Sequence, residues 1–281
     1  MLSKIFLEIT NSCNLRCEFC HGTSRAPRSI SEDEFEIITD RLTGHAEYLY
    51  FHVLGEPLVH EKLPVFIKRA KEKGFCPMLT TNGTLLPKRR DELLDAGLYK
   101  ISISLHAPEA NGAFATDGYL DGCIGYAMES ASNGTVNVFR LWNLNGADSG
   151  NARILEKLHK SFPGEWSCNR SGFRLGRNIY LEYGQKFDWP DIGAEEITGD
   201  VFCYGLRDQI GILSDGTVVP CCLDADGVCA LGNLLESPLD DILNSERARK
   251  IYDGFTNHKA AEPLCRRCGY AALTNRYRGS K

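Results

Sequence analysis

From residue 4 to about 185, short apolar, β-branched runs alternate with longer segments whose apolar residues recur at helical spacing. This is the pattern of βα units laid around a parallel sheet. Lys4 to Glu8 reads as the first strand. Further strands are expected at Tyr48 to Val53, Phe75 to Thr80, Lys100 to Leu105, Thr135 to Leu141 and Asn178 to Tyr183, separated by helices near 62–73, 87–96, 119–132 and 150–161. Before the second strand, Ser31-Glu32-Asp33-Glu34 has the form of a capping box, in which a serine and a glutamate three residues on satisfy each other's backbone amides. It predicts a helix running to about Leu42. Six such units are too few for a closed eight-stranded barrel.

After Asp188-Trp189-Pro190-Asp191 the rhythm gives way to Gly- and Asp-rich turns. Ser214-Asp215-Gly216-Thr217 is a hairpin signal between Gln209-Ile210-Gly211-Ile212-Leu213 and Val218-Val219-Pro220. A helix is expected near 238–253. The composition shift sets a domain boundary near 190, dividing 1–190 from 191–281, with no internal repeat or low-complexity tract in either part.

Composition narrows the class. Apolar content of 43% and charged content of 25% over 281 residues suit a globular protein with one large domain and an appendage, or two modest domains. No apolar run approaches the roughly 20 residues of a membrane span, and the N-terminus becomes a strand too quickly for a signal peptide. A cytoplasmic protein without a membrane partner is expected. The net charge of −5 offers no basic footprint for phosphate backbones. Lys88-Arg89-Arg90 reads as a solvated helix face, so nucleic acid is not an expected partner.

Twelve cysteines are many for a reducing compartment, where metal or iron-sulfur ligation is a better default than disulfides. Cys13, Cys17 and Cys20 are spaced C-x3-C-x2-C. Three thiolates cannot complete the four-ligand shell of structural zinc or of a fully protein-bound 4Fe-4S cluster. One iron would stay open for another molecule. A zinc knuckle that uses His21 as fourth ligand is the other reading, but it asks for nothing further along the chain.

The cysteine spacing, Phe19 before the last cysteine, and Gly55-Glu56-Pro57 about forty residues on together resemble the radical S-adenosylmethionine (radical SAM) superfamily. The resemblance covers roughly residues 1 to 185 and implies an α/β fold, an open partial (β/α)6 TIM-type barrel. It further implies that the cluster's open iron binds the amino and carboxylate groups of SAM, and that reductive cleavage yields a 5'-deoxyadenosyl radical that abstracts hydrogen. An electron donor such as flavodoxin or ferredoxin would supply the reductant.

Gly55-Glu56-Pro57 corresponds to the family's Gly-Gly-Glu-Pro motif, which implies backbone contacts to the SAM amino group with Glu56 supporting the loop. Leu54 replaces the first glycine, and leucine resists dihedrals that glycine permits. In parallel barrels the loops after the strands form the active face. Asn82 and Ser104, at the ends of the third and fourth strands, are candidate cofactor contacts. So is Arg140, because a guanidinium in a barrel mouth needs an anion, either the SAM carboxylate or an acidic group of the substrate. His52, His106, Asn143, Glu182 and Tyr183 interrupt the apolar strand pattern near the mouth and are the candidate substrate contacts.

Cys203, Cys221, Cys265 and Cys268 form a second set, gathered by a hairpin and a C-x2-C pair. Such a set suits a zinc ribbon or a fully ligated 4Fe-4S cluster. The order C-x17-C, then C-x2-C, with glycine five residues before the second cysteine, resembles the shortened SPASM domain known as the twitch domain over about residues 200 to 270. This implies one auxiliary 4Fe-4S cluster in a small hairpin-plus-helix domain. Cys222 competes with Cys221, since neighbours on a strand face opposite ways, and the Gly-x4-Cys spacing favours Cys221. Cys229, Cys76, Cys123 and Cys168 read as core or unliganded thiols.

The resemblance therefore leads to an enzyme with two 4Fe-4S clusters and SAM, acting on a small molecule. A dehydrogenase, or a C-N lyase such as queuine lyase, would suit the single auxiliary cluster. A SPASM-type peptide or protein maturase is the alternative, although with the first strand starting at residue 4 and the auxiliary domain ending near the C-terminus no separate leader-binding domain is expected. From another class, a non-catalytic zinc or iron-sulfur protein stays open.

Overall fold

The computed structural model describes residues 2–112, 116–144 and 148–279, and every strand expected before residue 185 forms in it. In chain order the elements are β1 (Lys4–Leu7), α1 (Glu32–Leu42), β2 (Tyr48–Tyr50), α2 (Leu63–Glu72), β3 (Cys76–Thr81), α3 (Leu86–Ala96), β4 (Lys100–Ser104), α4 (Asp117–Ser132), β5 (Val136–Leu144) and α5 (Asn151–Ser161). A short hairpin, β6 (Ser167–Asn169) and β7 (Gly172–Gly176), precedes β8 (Ile179–Gln185) and was not expected. The second part holds β9 (Gln209–Ile212), β10 (Thr217–Val219), β11 (Gly232–Asn233), α6 (Leu239–Leu243), α7 (Glu246–Thr256) and α8 (Gly269–Gly279).

Local chemistry accounts for the helix ends. Ser31 Oγ accepts the Glu34 amide at 3.1 Å and the Glu34 carboxylate accepts the Ser31 amide at 2.8 Å, so the capping box is complete. The α1 face then buries Phe35, Ile38 and Leu42, with Phe35 stacked on Phe66 of α2 at 4.2 Å. Each such side chain contributes roughly 1.5–3 kcal/mol of burial. The single helix expected near 238–253 is instead broken at Asn244, because Ser245 caps a new start by accepting the Ala248 amide.

One sheet of eleven strands runs β11-β10-β9-β1-β2-β3-β4-β5-β8-β7-β6. From β9 to β8 neighbours are parallel, and antiparallel hairpins flank both ends. The sheet does not close, and the architecture is an open partial barrel. Residue 190 is no break in it: β9 pairs in parallel with β1, Lys4 opposite Gln209 and Leu7 opposite Ile212. The cysteine loop, the Gly-Glu-Pro loop, Asn82 and His106 follow the C-terminal ends of β1 to β4, and Ser104 is the last residue of β4. Among the described residues no helix is long and apolar enough to cross a membrane.

Candidate active site

Cys13, Cys17 and Cys20 line one wall of a cavity of about 390 Å³, and Gly55, Glu56, Thr80, Asn82, Ser104 and Trp189 line others. The thiols sit among donors suited to sulfur anions. The Leu15 amide donates to Cys13 Sγ at 3.4 Å, and Asn111 Nδ2 to Cys17 Sγ at 3.1 Å. Burial raises the pKa of Cys13 and Cys17, which disfavours the free thiolate. His21 lies outside this lining, 3.7 Å from Asp226 and stacked on Trp189.

Gly55 is fixed by sterics. Its φ is +73°, and a Cβ there would stand 2.4 Å from the Thr10 carbonyl oxygen. Leu54 needs no left-handed dihedral, and its amide donates to Glu8 Oε2 at 3.3 Å, so leucine at this position leaves the loop unstrained. Pro57 opens a buried 3-10 turn, Pro57–Val59. Glu56 is buried and accepts from the Leu58 amide at 3.0 Å, the Thr81 hydroxyl at 2.7 Å and the Asn82 amide at 2.7 Å. Burial pushes its pKa up to about 7 against those bonds. The carboxyl thus ties this loop to the end of β3. Asn82 Nδ2 donates to Asn14 Oδ1 at 2.9 Å, which joins that strand end to the cysteine loop.

A second cavity, of about 250 Å³, shares Phe19, His52, Val53, Thr80, Ser104 and Trp189 with the first and adds His106, Arg140 and Trp142. A third, of about 240 Å³, shares His52, Arg140, Trp142 and Cys222 with the second and reaches Cys203, Cys221 and Cys268. The cavities form a series from one cysteine set to the other. Arg140 lines the second and third but not the first. His106 is buried, with Nδ1 3.0 Å from the Arg140 carbonyl and its ring 5.1 Å from Phe19.

Three of the expected substrate contacts lie apart from these linings. Asn143 and Asn151 exchange amide hydrogen bonds at 3.0 and 3.1 Å, Tyr183 packs edge-on to Phe173, and Glu182 stands behind Arg140 at 3.9 Å. Trp189, Phe187 and Lys186 line the cavities without having been singled out. An aromatic residue inside the polar linker after residue 185 was the available signal. Glu8 was missed as well: it is fully buried and binds Arg25 through both oxygens, at 2.7 and 2.8 Å.

Cys203, Cys221, Cys265 and Cys268 surround a small cavity of about 30 Å³, with Asp224 and Cys229 also on its wall. Cys222 is absent from that wall and lines the second and third cavities instead. Cys229, read from sequence as a core thiol, is buried and also makes contact with Cys265. The Gly205 amide donates to Cys203 Sγ at 3.3 Å. Among the described residues, no three His, Cys, Asp or Glu side chains meet as tightly as a single ion requires. The thiols stand around a space.

Comparison with known proteins agrees with this arrangement. Residues 7–121 match the radical SAM superfamily, and residues 203–269 match SPASM, an iron-sulfur cluster-binding domain. The chain carries a radical SAM domain and a SPASM-type domain. A probable GTP 3',8-cyclase of Halobacterium salinarum is 34% identical over 125 residues, covering 41% of this chain and 34% of that protein. A PqqA peptide cyclase of Bradyrhizobium diazoefficiens is 30% identical over 119 residues, 41% of this chain and 31% of its own length. The matched segment thus spans about a third of these curated relatives. A crystal structure of BtrN in complex with AdoMet and 2-DOIA superimposes with a TM-score of 0.61 at 19% identity, covering 95% of this chain and 93% of that one.

A radical SAM domain together with an iron-sulfur cluster-binding SPASM domain fits SAM and two 4Fe-4S clusters as cofactors. Both cysteine sets fit such groups, because each lines a cavity and receives an N–H hydrogen bond at sulfur.

Proposed function

We propose that residues 1–190 bind a 4Fe-4S cluster through Cys13, Cys17 and Cys20 with SAM beside it in the 390 Å³ cavity. Residues 191–281 hold an auxiliary cluster through Cys203, Cys221, Cys265 and Cys268. The observation that carries the reading is the series of three adjoining cavities between the two cysteine sets. A small organic substrate occupies the middle of that series and loses a hydrogen atom there. When bound and reduced, the first cluster supplies the chemistry of SAM cleavage to a 5'-deoxyadenosyl radical.

The chain's own residues supply the rest. Gly55 and Glu56 would offer backbone carbonyls to the SAM amino group, and Asn82 ties the end of β3 to both the Glu56 carboxylate and the cysteine loop. Ser104 and Thr80 stand on the wall common to the first two cavities, where a ribose or a substrate hydroxyl can bond to them. Phe19 and Trp189 cover the same junction and exclude water. The Trp189 indole donates to the Phe19 carbonyl at 2.9 Å, which holds the linker over the cysteine loop. His52 and His106 face the substrate cavity in neutral form, since burial lowers both pKa values.

An auxiliary site next to the third cavity favours an oxidative outcome, a dehydrogenase, over a redox-neutral lyase of the queuine lyase kind. Anaerobic reconstitution and reduction with dithionite test the first step. The wild-type chain should form 5'-deoxyadenosine and methionine, with flavodoxin or ferredoxin able to replace dithionite. The Cys13→Ala/Cys17→Ala/Cys20→Ala variant should form neither. 5'-Deoxyadenosine from that variant would overturn the assignment.

A further inference from the structure

The two cavities between the cysteine sets are lined by an unbalanced charge. Lys4 from β1, Arg140 from β5 and Lys186 just past β8 line them, and among the described lining residues no Asp or Glu does. Two of the three pair with carboxylates behind the lining: Glu182, the register partner of Arg140 on β8, is 3.9 Å from its Nε, and Asp208 is 3.9 Å from Lys4 Nζ, ion pairs too long for a hydrogen bond.

Arg140 is the best placed of the three. Its Nη1 reaches Thr80 Oγ1 at 3.3 Å, while its Nε is buried with no acceptor. An unsatisfied buried donor costs about 1–3 kcal/mol, and more for a charged group. A planar guanidinium recovers that cost best from a carboxylate or phosphate, whose oxygens match its fork. The group also lies 4.3 Å from the Trp142 ring centroid, which holds one face against an aromatic. Beyond it the lining is largely aromatic, with Phe6, Phe187, Phe202 and Tyr270, and Gln209 and Thr274 add polar groups.

We propose that the substrate is a small organic anion, with a carboxylate or phosphate ester gripped by Arg140 and a flat apolar body seated among Trp142, Phe187 and Tyr270. The inference rests on the small-molecule radical SAM reading above. The SAM carboxylate is the rival occupant of Arg140. Absence of this residue from the 390 Å³ lining favours the substrate.

Phenylacetate, phenyl phosphate and uncharged phenylacetamide serve as probes, titrated anaerobically into the reconstituted full chain with SAM present. At least one anion should bind roughly tenfold more tightly than the amide, and Arg140→Gln should remove that advantage while SAM Kd moves by less than about twofold. Arg140→Lys should lie between. Arg140→Gln/Glu182→Gln, which strands no carboxylate, should lose the anion as the single variant does. Which anion binds distinguishes a carboxylate from a phosphate ester. Equal binding of the amide, no binding of either anion to the wild-type chain, or loss of SAM affinity in place of anion affinity would each overturn the proposal. Dithionite-driven SAM cleavage by the wild-type chain is scored separately: if it occurs while the anions fail, only this inference falls, and if it does not occur, the reading beneath it falls.

Discussion

Glu8 and Arg25 form a buried two-oxygen ion pair at 2.7 and 2.8 Å, and the same carboxylate accepts the Leu54 amide at 3.3 Å and the Ser214 amide at 3.1 Å. One side chain at the end of β1 therefore joins the loop after the cysteines, the Gly-Glu-Pro loop and the β9–β10 turn. Removing one partner of a buried pair strands the other charge, at a cost of about 3–5 kcal/mol. Glu8→Gln should lower the guanidinium midpoint accordingly and lower iron content at both sites. Unchanged stability would show that the pair contributes nothing net.

Gly55→Ala tests the closest backbone approach in the site. The added methyl would meet the Thr10 oxygen at 2.4 Å in a backbone conformation that alanine rarely adopts. A loss of about 1–3 kcal/mol is expected, appearing as weaker SAM binding, since the loop must shift away from the cavity. Equilibrium dialysis with labelled SAM measures it. Leu54→Gly, by contrast, should leave SAM affinity close to that of the wild-type chain.

His52 gives the protein an acid-side dependence. Burial, then the positive charge of Arg140, pushes its pKa down to about 3 from an ordinary value of 6.5. Between those values the unfolded chain takes up a proton that the native state refuses, so this contribution is full above about pH 6.5 and is lost as pH falls toward 3. His52→Gln should flatten the decline in stability between about pH 7 and about pH 5 seen in denaturant titrations. An identical slope in both proteins would refute the assignment.

Cys221 and Cys222 are adjacent in sequence but line different cavities. Cys221→Ser should reduce iron from about eight to about four per chain, whereas Cys222→Ser should keep both clusters. A ligand role for Cys222 would reverse the two counts. Cys265→Ala/Cys268→Ala then asks what the second cluster does. Full product from a folded, SAM-cleaving variant would favour a redox-neutral reaction, and lost product with retained hydrogen abstraction would favour oxidation.

The barrel strands were legible because each is a short apolar run facing helices on one side, and α1 because Ser31 and Glu34 carry their own hydrogen-bonding instruction. The β6–β7 hairpin was not, since Ser167 to Asn169 are all exposed and leave no hydrophobic period to read. The break at Asn244 was written in Ser245, but a continuing amphipathic pattern masked it. Among site residues, the cysteine sets were visible as spacings. Glu8 with Ser214 and Cys229 with Cys265 were not, because both contacts span long stretches of chain and no local period encodes them. Asn143 looked like a polar interruption of a strand, yet its amide is taken up by Asn151.

The parallel pairing of β9 with β1 carries a hazard for anyone who trims the chain. Cutting near residue 190 would strip the neighbour from Lys4 to Leu7 and bare a strand whose Ile5 and Leu7 are fully buried. A hydrophobic border of that kind recruits other strands. The shortened protein is expected to form inclusion bodies or edge-to-edge polymers, even with its three N-terminal cysteines intact.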